Sequence, residues 1–174
     1  NYLNPVLFYR PTEFRLGSPD NALLGFAVNV KAGKHVLFYG QAMLDEFLAD
    51  QVRGGYGWYA NKQAGQVGVN AYEAFGVKGL QLRAEWNIVR PFMYTHSDTR
   101  QNYAHLGQPL AHPYGSNLQE VLAHADLVHG PWNFALHASM TWMGTDSVAS
   151  YGNNIFRPEV ERPSYVINGQ IGRA

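Results

Sequence analysis

The sequence predicts an all-β protein, and three features favour an antiparallel transmembrane β-barrel within that class. Residues 80–88 alternate between apolar and polar side chains without exception, which indicates a strand with one apolar and one polar face. We expect this strand to continue past Pro91 to Tyr94, well beyond the average globular strand of about 5 or 6 residues. The connections between predicted strands also alternate between long and short, as in outer-membrane barrels.

About eight strands are predicted along the chain, each bounded by Gly, Pro or polar residues. They cover residues 6–16, 22–31, 35–45, 65–74, 80–94, 117–129, 132–143 and 165–171. We interpret residues 1–174 as a single segment of a larger outer-membrane barrel domain that is incomplete at both ends.

Two predicted hairpins allow statements about register. A three-residue turn at 32–34 would place Val30 opposite Val36 and keep the apolar residues on one face. A two-residue turn at Gly130 and Pro131 would place His124 opposite His137 on the polar face.

The long connections lie at about 46–62, 97–116 and 144–164, and short turns separate them. In an outer-membrane barrel the periplasmic turns are short, while the loops that face outward are free to grow. A soluble β-sandwich with Greek-key crossings has no physical reason to sort its connections in this way.

Composition excludes several classes of protein. Thirteen basic and thirteen acidic residues balance and are scattered, which argues against a nucleic-acid binder. Cysteine is absent, so there is no disulfide framework and no thiolate metal site. Because no apolar run approaches the roughly 18 residues of a spanning helix, any residence in a membrane must be through strands.

The sequence contains none of the common catalytic or phosphate-binding motifs, so we predict a non-catalytic protein without cofactor or metal. Glu85 and Glu120 could form an acid/base pair, although a polar network inside a barrel is the favoured interpretation. His96, His105 and His112 match no known spacing of metal ligands. The residues predicted to line the barrel interior are Arg83, Glu85, Asn87, Glu120, His124, Asp126 and His137.

Aromatic residues on the long connections predict saccharide binding, because aromatic faces stack on sugar rings while amides bind hydroxyl groups. The candidates are Trp58, Tyr59, Asn102, Tyr103 and Tyr114. The alternative is a membrane-interface belt, in which Trp and Tyr lie at headgroup depth without a ligand.

Two strings carry a resemblance to a known family: FYRPTEFRLGSPDN at 8–21 and VRPFMYTHSDTRQNYAHLGQPLAHPYGSN at 89–117. They resemble the Wzi capsule-assembly family, in particular its Bacteroidetes branch, which includes gliding-motility proteins such as RemB. The resemblance implies a many-stranded outer-membrane barrel that retains polysaccharide at the cell surface, with no catalytic residues to carry over. Members of the family are much longer than this chain.

The sequence therefore predicts an outer-membrane protein of a Gram-negative bacterium that serves capsule attachment or assembly, or the gliding-motility surface machinery. Its expected partners are the lipid bilayer with lipopolysaccharide, surface polysaccharide and other outer-membrane, gliding or secretion components, but not nucleic acid. Two alternatives remain open at this point. They are a porin-like diffusion channel lined by Arg83, Glu85, Arg90 and Glu120, and a soluble carbohydrate-binding β-sandwich.

Overall fold

The protein is an antiparallel β-sheet protein in a computed structural model that describes residues 23–45 and 58–164. Six strands pair in the order β1-β2-β3-β4-β7-β8, and a separate two-stranded hairpin is formed by β5 and β6. The strands are β1 (Leu24–Ala32), β2 (Val36–Leu44), β3 (Gln63–Tyr72), β4 (Leu80–Val89), β5 (Ala104–His105), β6 (Gln108–Pro109), β7 (Leu118–His129) and β8 (Trp132–Met143).

Three short 3₁₀ helices, Ala74–Gly76, Thr99–Gln101 and Glu159–Glu161, lie in the connections. None of the helices in the described ranges is long and apolar enough to cross a membrane. The all-β prediction is confirmed, whereas the sheet formed by the described residues is open, with β1 and β8 at its edges. The strands predicted at 6–16 and 165–171 lie outside the described residues.

One face of the six-stranded sheet is apolar along its whole width, and we call it the apolar face. Alternation within each strand and the continuous register between strands place the side chains of Val67, Trp86, Leu136 and their neighbours on this face. The only polar side chains on it are Gln63, Gln119 and His129, which lie at strand ends. Val67 is 55% exposed and Leu136 is 70% exposed, and no other described sheet covers them.

The opposite face, which we call the polar face, carries the polar and ionisable side chains of the strands. Alternation and register place all seven residues predicted for the barrel interior on it, namely Arg83, Glu85, Asn87, Glu120, His124, Asp126 and His137. The sheet therefore separates two chemically distinct surfaces, as the alternation in the sequence predicts.

The register of the β7–β8 hairpin is as predicted from the sequence. His124 lies opposite His137, and their rings stack with centroids 4.1 Å apart. The two-residue turn fixes this register, because any slip by one residue would move apolar side chains to the polar face.

The predicted register of the β1–β2 hairpin is wrong by two residues. Val30 lies opposite Phe38, not Val36, and the turn consists of residues 33–35. Gly33 has a φ of 67°, which favours glycine at the start of the turn. A shift of two residues leaves every side chain on its predicted face, so hydrophobic patterning could not detect the error.

The predicted extension of the fifth strand to Tyr94 is also wrong, since β4 ends at Val89. Pro91 cannot donate a ladder hydrogen bond, and the chain turns at residues 91–94. Phe92 and Tyr94 have positive φ values of 62° and 77°, and the Phe92 amide donates to the carbonyl of Gly152 at 3.1 Å. The apolar residues after Pro91 thus enter a buried turn instead of a strand.

The connections at 90–117 and 144–164 fold onto one end of the polar face and form a small hydrophobic core there. Its buried members are Val89, Met93, Tyr94, Leu118 and Ile155, which come from β4, β7 and two connections. This core attaches the connections to the sheet and defines the loop end of the molecule.

A buried ion pair and two further polar contacts join the described parts of the long connections. The Lys62 ammonium is fully buried, lies 2.8 Å from the Glu159 carboxylate and donates to the Thr95 carbonyl at 2.7 Å. His96 Nε2 lies 2.9 Å from Asp45 Oδ2. Because Lys62, Thr95 and Glu159 belong to different connections, these contacts link the described residues of all three.

The β7–β8 register predicts a specific disulfide in a chain that has no native cysteine. The double variant His124→Cys, His137→Cys should form an intramolecular disulfide on mild oxidation, because directly opposed Cβ atoms lie about 4.5–5.5 Å apart. The pair His124→Cys, Ser139→Cys is the control, since diagonal neighbours lie about 7–8 Å apart. Equal cross-linking of both pairs on non-reducing gels would contradict the register.

Candidate functional site

The candidate site lies on the polar face, just below the core formed by the connections. Five strands contribute one polar residue each to a continuous row across the sheet: Gln41, Gln66, Asn87, Glu120 and Thr141. The neighbouring row toward the loop end is apolar and includes Met43, Ala64, Val89 and Leu118. The polar row therefore borders the core directly.

Asn87 lies between the two carboxylates of this site and joins them. Its side-chain nitrogen donates to Glu85 Oε1 at 2.9 Å and to Glu120 Oε2 at 3.2 Å. Thr141 donates to the other oxygen of Glu120 at 3.1 Å, and His112 Nε2 lies 3.0 Å from Glu120 Oε2. Both carboxylates are buried but satisfied, which is the arrangement that a buried charge requires.

Tyr39 and Arg83 complete the environment of Glu85. The Tyr39 hydroxyl donates to Glu85 at 2.5 Å and accepts from Arg83 Nε at 2.8 Å. Arg83 also forms an ion pair with Glu85. Tyr39 belongs to β2 and Glu85 to β4, so the phenol ring must cross β3 to reach the carboxylate.

Gly68 on β3 makes that crossing possible. It lies directly opposite Tyr39, and a Cβ at this position would overlap the Tyr39 ring. The absence of a side chain at Gly68 therefore allows the contact between Tyr39 and Glu85.

A cavity of about 460 Å³ lies between the polar row and the connection residues on either side of the β5–β6 hairpin, Tyr103 and 110–113. The floor includes Gln41, Gln66, Glu85, Asn87 and Glu120. Tyr94, Tyr103 and residues 110–113 form the wall and roof. The volume is within the range of roughly 300–1,000 Å³ that small-molecule sites occupy.

Two tyrosines form an aromatic wall in this cavity. The Tyr94 and Tyr103 ring centroids are 5.8 Å apart, and the planes are tilted by 32°. Burial raises the pKa of Tyr94, and the neighbouring Tyr103 raises it further, so the phenol stays neutral. Tyr94 is fully buried, whereas Tyr103 is half-buried and supplies the accessible ring.

The structure separates the five predicted saccharide-binding residues into different environments. Asn102 is buried, and its amide accepts from the His96 backbone at 2.8 Å and donates to the Ile155 carbonyl at 2.6 Å. Asn102 thus joins two connections by hydrogen bonds, and its buried side chain leaves little surface for contact with a ligand. Tyr103 lines the cavity, and Tyr114 is 54% exposed beside His112.

Trp58 and Tyr59 lie apart from the cavity. Their rings are in edge contact with centroids 5.8 Å apart, and Tyr59 also contacts Phe92 edge-on. The Arg162 guanidinium lies 3.9 Å above the Tyr59 ring. The Tyr59 ring thus contributes to packing between connections.

His124, Asp126 and His137 form a second group on the polar face, toward the short turns. His137 Nε2 lies 3.4 Å from Asp126 Oδ1, and Arg83 lies opposite His124 in the β4–β7 register. His96, His105 and His112 do not converge, since His96 contacts Asp45 and His112 contacts Glu120. No group of three metal-binding side chains occurs in the described ranges.

Sequence reasoning did not identify Gln41, Gln66, Tyr39 or Tyr94 as site residues. Their convergence depends on the register of several strands and on the connection residues that cover the cavity. The signal available in the sequence was the alternation of side chains along each strand, which assigns Tyr39, Gln41 and Gln66 to the polar face.

Comparison with known proteins gives no family assignment: no protein-family model, no curated protein and no solved structure matches this chain.

The role of Gly68 can be tested with a matched glycine on the same strand. Gly68→Ala should lower the free energy of unfolding by about 1–3 kcal/mol, because the Tyr39 ring must move away from Glu85. Gly65→Ala is the control, since its added Cβ would lie 3.6 Å from Ile88 Cγ2, an ordinary contact. Chemical unfolding should distinguish the two variants, and equal stability would argue against the Tyr39 contact.

Proposed function

We propose that this chain is part of an outer-membrane β-barrel that binds surface polysaccharide through its loop end. The observation that carries the proposal is the apolar face, which is exposed across all six strands and has no charged side chain. A water-soluble monomer rarely exposes a contiguous apolar patch larger than a few hundred Å². The hydrocarbon core of a lipid bilayer is a solvent in which such an apolar face is stable.

The dimensions of β8 support a membrane span. Trp132 and Trp142 lie on the apolar face, ten residues apart and close to the two ends of the strand. At about 3.3 Å per residue and a tilt of about 40°, they bracket roughly 25 Å, the height of the apolar band of outer-membrane barrels. Aromatic residues at both borders are typical of such bands.

The arrangement of connections supports the same orientation. In the described ranges, the connections at the end opposite the core are short turns, and the long ones gather at the loop end. In an outer-membrane barrel the long loops face outward, so the cavity and Tyr114 would lie near the cell surface. A closed barrel also requires partners for the free edges of β1 and β8.

The content of the polar face favours a binding role over a diffusion channel. The connections bury Met93, Tyr94 and Ile155 against one end of this face, and hydrogen bonds link Glu85, Asn87 and Glu120. These groups occupy space that an open pore would need. The resemblance to the Wzi capsule-assembly family supports a role in capsule attachment or assembly, or in the gliding-motility surface machinery.

The proposal predicts retention of surface polysaccharide that depends on the loop-end tyrosines. Tyr103→Ala and Tyr114→Ala should each weaken capture of polysaccharide extracted from the native bacterium, by about tenfold if one stacked ring is lost. Tyr72→Ala is the matched control, because Tyr72 is exposed at the opposite end of β3. Unchanged capture by both loop-end variants, with the protein folded in the membrane fraction, would contradict the proposal.

A further inference from the structure

We infer that the cavity between the polar face and the residues that flank the β5–β6 hairpin, Tyr103 and 110–113, is a subsite for sugar residues that carry no negative charge, either neutral sugars or amino sugars. The inference rests on the proposed polysaccharide-binding function and names the class of sugar that this site would accept. It is carried by the charges of the lining, by two amide groups that form no hydrogen bond with the described residues, and by an accessible aromatic ring.

The charges in the cavity disfavour an anionic ligand. Two carboxylates, Glu85 and Glu120, contribute to the floor, while no Lys or Arg of the described chain lines the cavity. Arg83 does not line the cavity, but it forms an ion pair with Glu85. Among the described lining residues, His112 has the only basic side chain. A uronate in this space would place a third carboxylate beside Glu120 and the Glu85–Arg83 pair, with no Lys or Arg among the described lining residues to bind it, which costs free energy.

The amide groups of Gln41 and Gln66 are available for hydroxyl groups of a sugar. The two residues are opposite each other on β2 and β3, and both line the cavity. Within the described part of the chain their side chains form no hydrogen bond, in contrast to Asn87 in the same row. An amide offers both a donor and an acceptor, and a sugar hydroxyl can use either.

Tyr103 supplies the apolar surface that a sugar ring requires. Its ring lies beside Tyr94 in the wall, and Leu110, Ala111 and Leu122 add further apolar lining. Aromatic surface combined with a small number of oriented polar groups is the usual composition of a small-molecule site. The cavity therefore combines ring stacking, neutral hydrogen-bonding groups and negative charge.

The connection residues that cover the cavity are fixed to the sheet at a defined point. His112 and Glu120 are both almost buried, and their contact at 3.0 Å joins the roof to β7. The Leu110 amide also donates to the Tyr103 carbonyl at 3.2 Å, which closes the hairpin on itself. The site is thus formed without a ligand, so binding would not require the roof to fold.

Titration calorimetry with three disaccharides tests the inference on the membrane-extracted, folded protein. Cellobiose is the neutral probe, the glucosamine disaccharide is the amino-sugar probe, and digalacturonate is the acidic probe. We expect binding of cellobiose or of the glucosamine disaccharide, and binding of digalacturonate at least about tenfold weaker, equivalent to about 1.4 kcal/mol. Gln41→Ala should weaken the favoured disaccharide, while Ser139→Ala, on the same face outside the cavity lining, should not.

A variant that adds a positive charge to the cavity should gain affinity for the acidic disaccharide. Gln66→Lys places a cation at the floor and should strengthen digalacturonate relative to the neutral disaccharide by about tenfold. Preference of the native protein for digalacturonate would overturn the inference and leave polysaccharide binding intact. Absence of disaccharide binding, with capture of whole polysaccharide retained, would also overturn it. Loss of both would contradict the proposed function itself.

Discussion

The central constraint on this structure is that one sheet carries two chemically different faces, one apolar and one polar. Strict alternation through six strands puts side chains such as Phe26, Trp86 and Phe134 on one face and confines its polar residues to strand ends. Neighbouring strands satisfy each other's backbone groups along continuous ladders. Hydrogen bonding within the sheet is the requirement that hydrocarbon imposes on any β-structure that spans a membrane.

The polar face shows the consequence of that division. Most apolar side chains of the strands lie on the other face. In the described residues, buried packing is therefore concentrated where the connections cover Val89 and Leu118. Carboxylates on the remaining surface must be compensated by direct partners, as Arg83 and Asn87 do for Glu85. The same arrangement leaves Gln41 and Gln66 beside a covered space, and this combination makes the cavity a candidate site.

Within the described residues, the sequence predicted the six strands of the large sheet and their faces, because a period of two is a direct property of the extended chain. It also predicted the β7–β8 register, since the two-residue turn and the alternation agree on one pairing. It did not predict the β1–β2 register, because pairings that differ by two residues bury the same face. Positive φ values at Phe92 and Tyr94, which end the fifth predicted strand, leave no clear signal in the sequence.

The cavity was beyond sequence reasoning for a related reason. Its lining joins residues from four strands with residues of the connection between β4 and β7 that fold back over them, so its position depends on several registers at once. Tyr103 was identified as a ligand-binding candidate from its type and neighbours, and the structure places it in the cavity wall. Asn102 was chosen by the same reasoning, but its side chain is hydrogen-bonded to backbone groups. Residue type alone could not distinguish these two environments.

Contact between the apolar face and hydrocarbon can be measured directly by spin labelling, because the chain has no native cysteine. Ala138→Cys and Ser139→Cys are adjacent on β8 and lie on opposite faces of the sheet. In lipid vesicles, a nitroxide at position 138 should collide mainly with oxygen, and one at position 139 should be more accessible to a water-soluble nickel chelate than the label at 138. Equal access of the nickel chelate to both labels would contradict the membrane assignment.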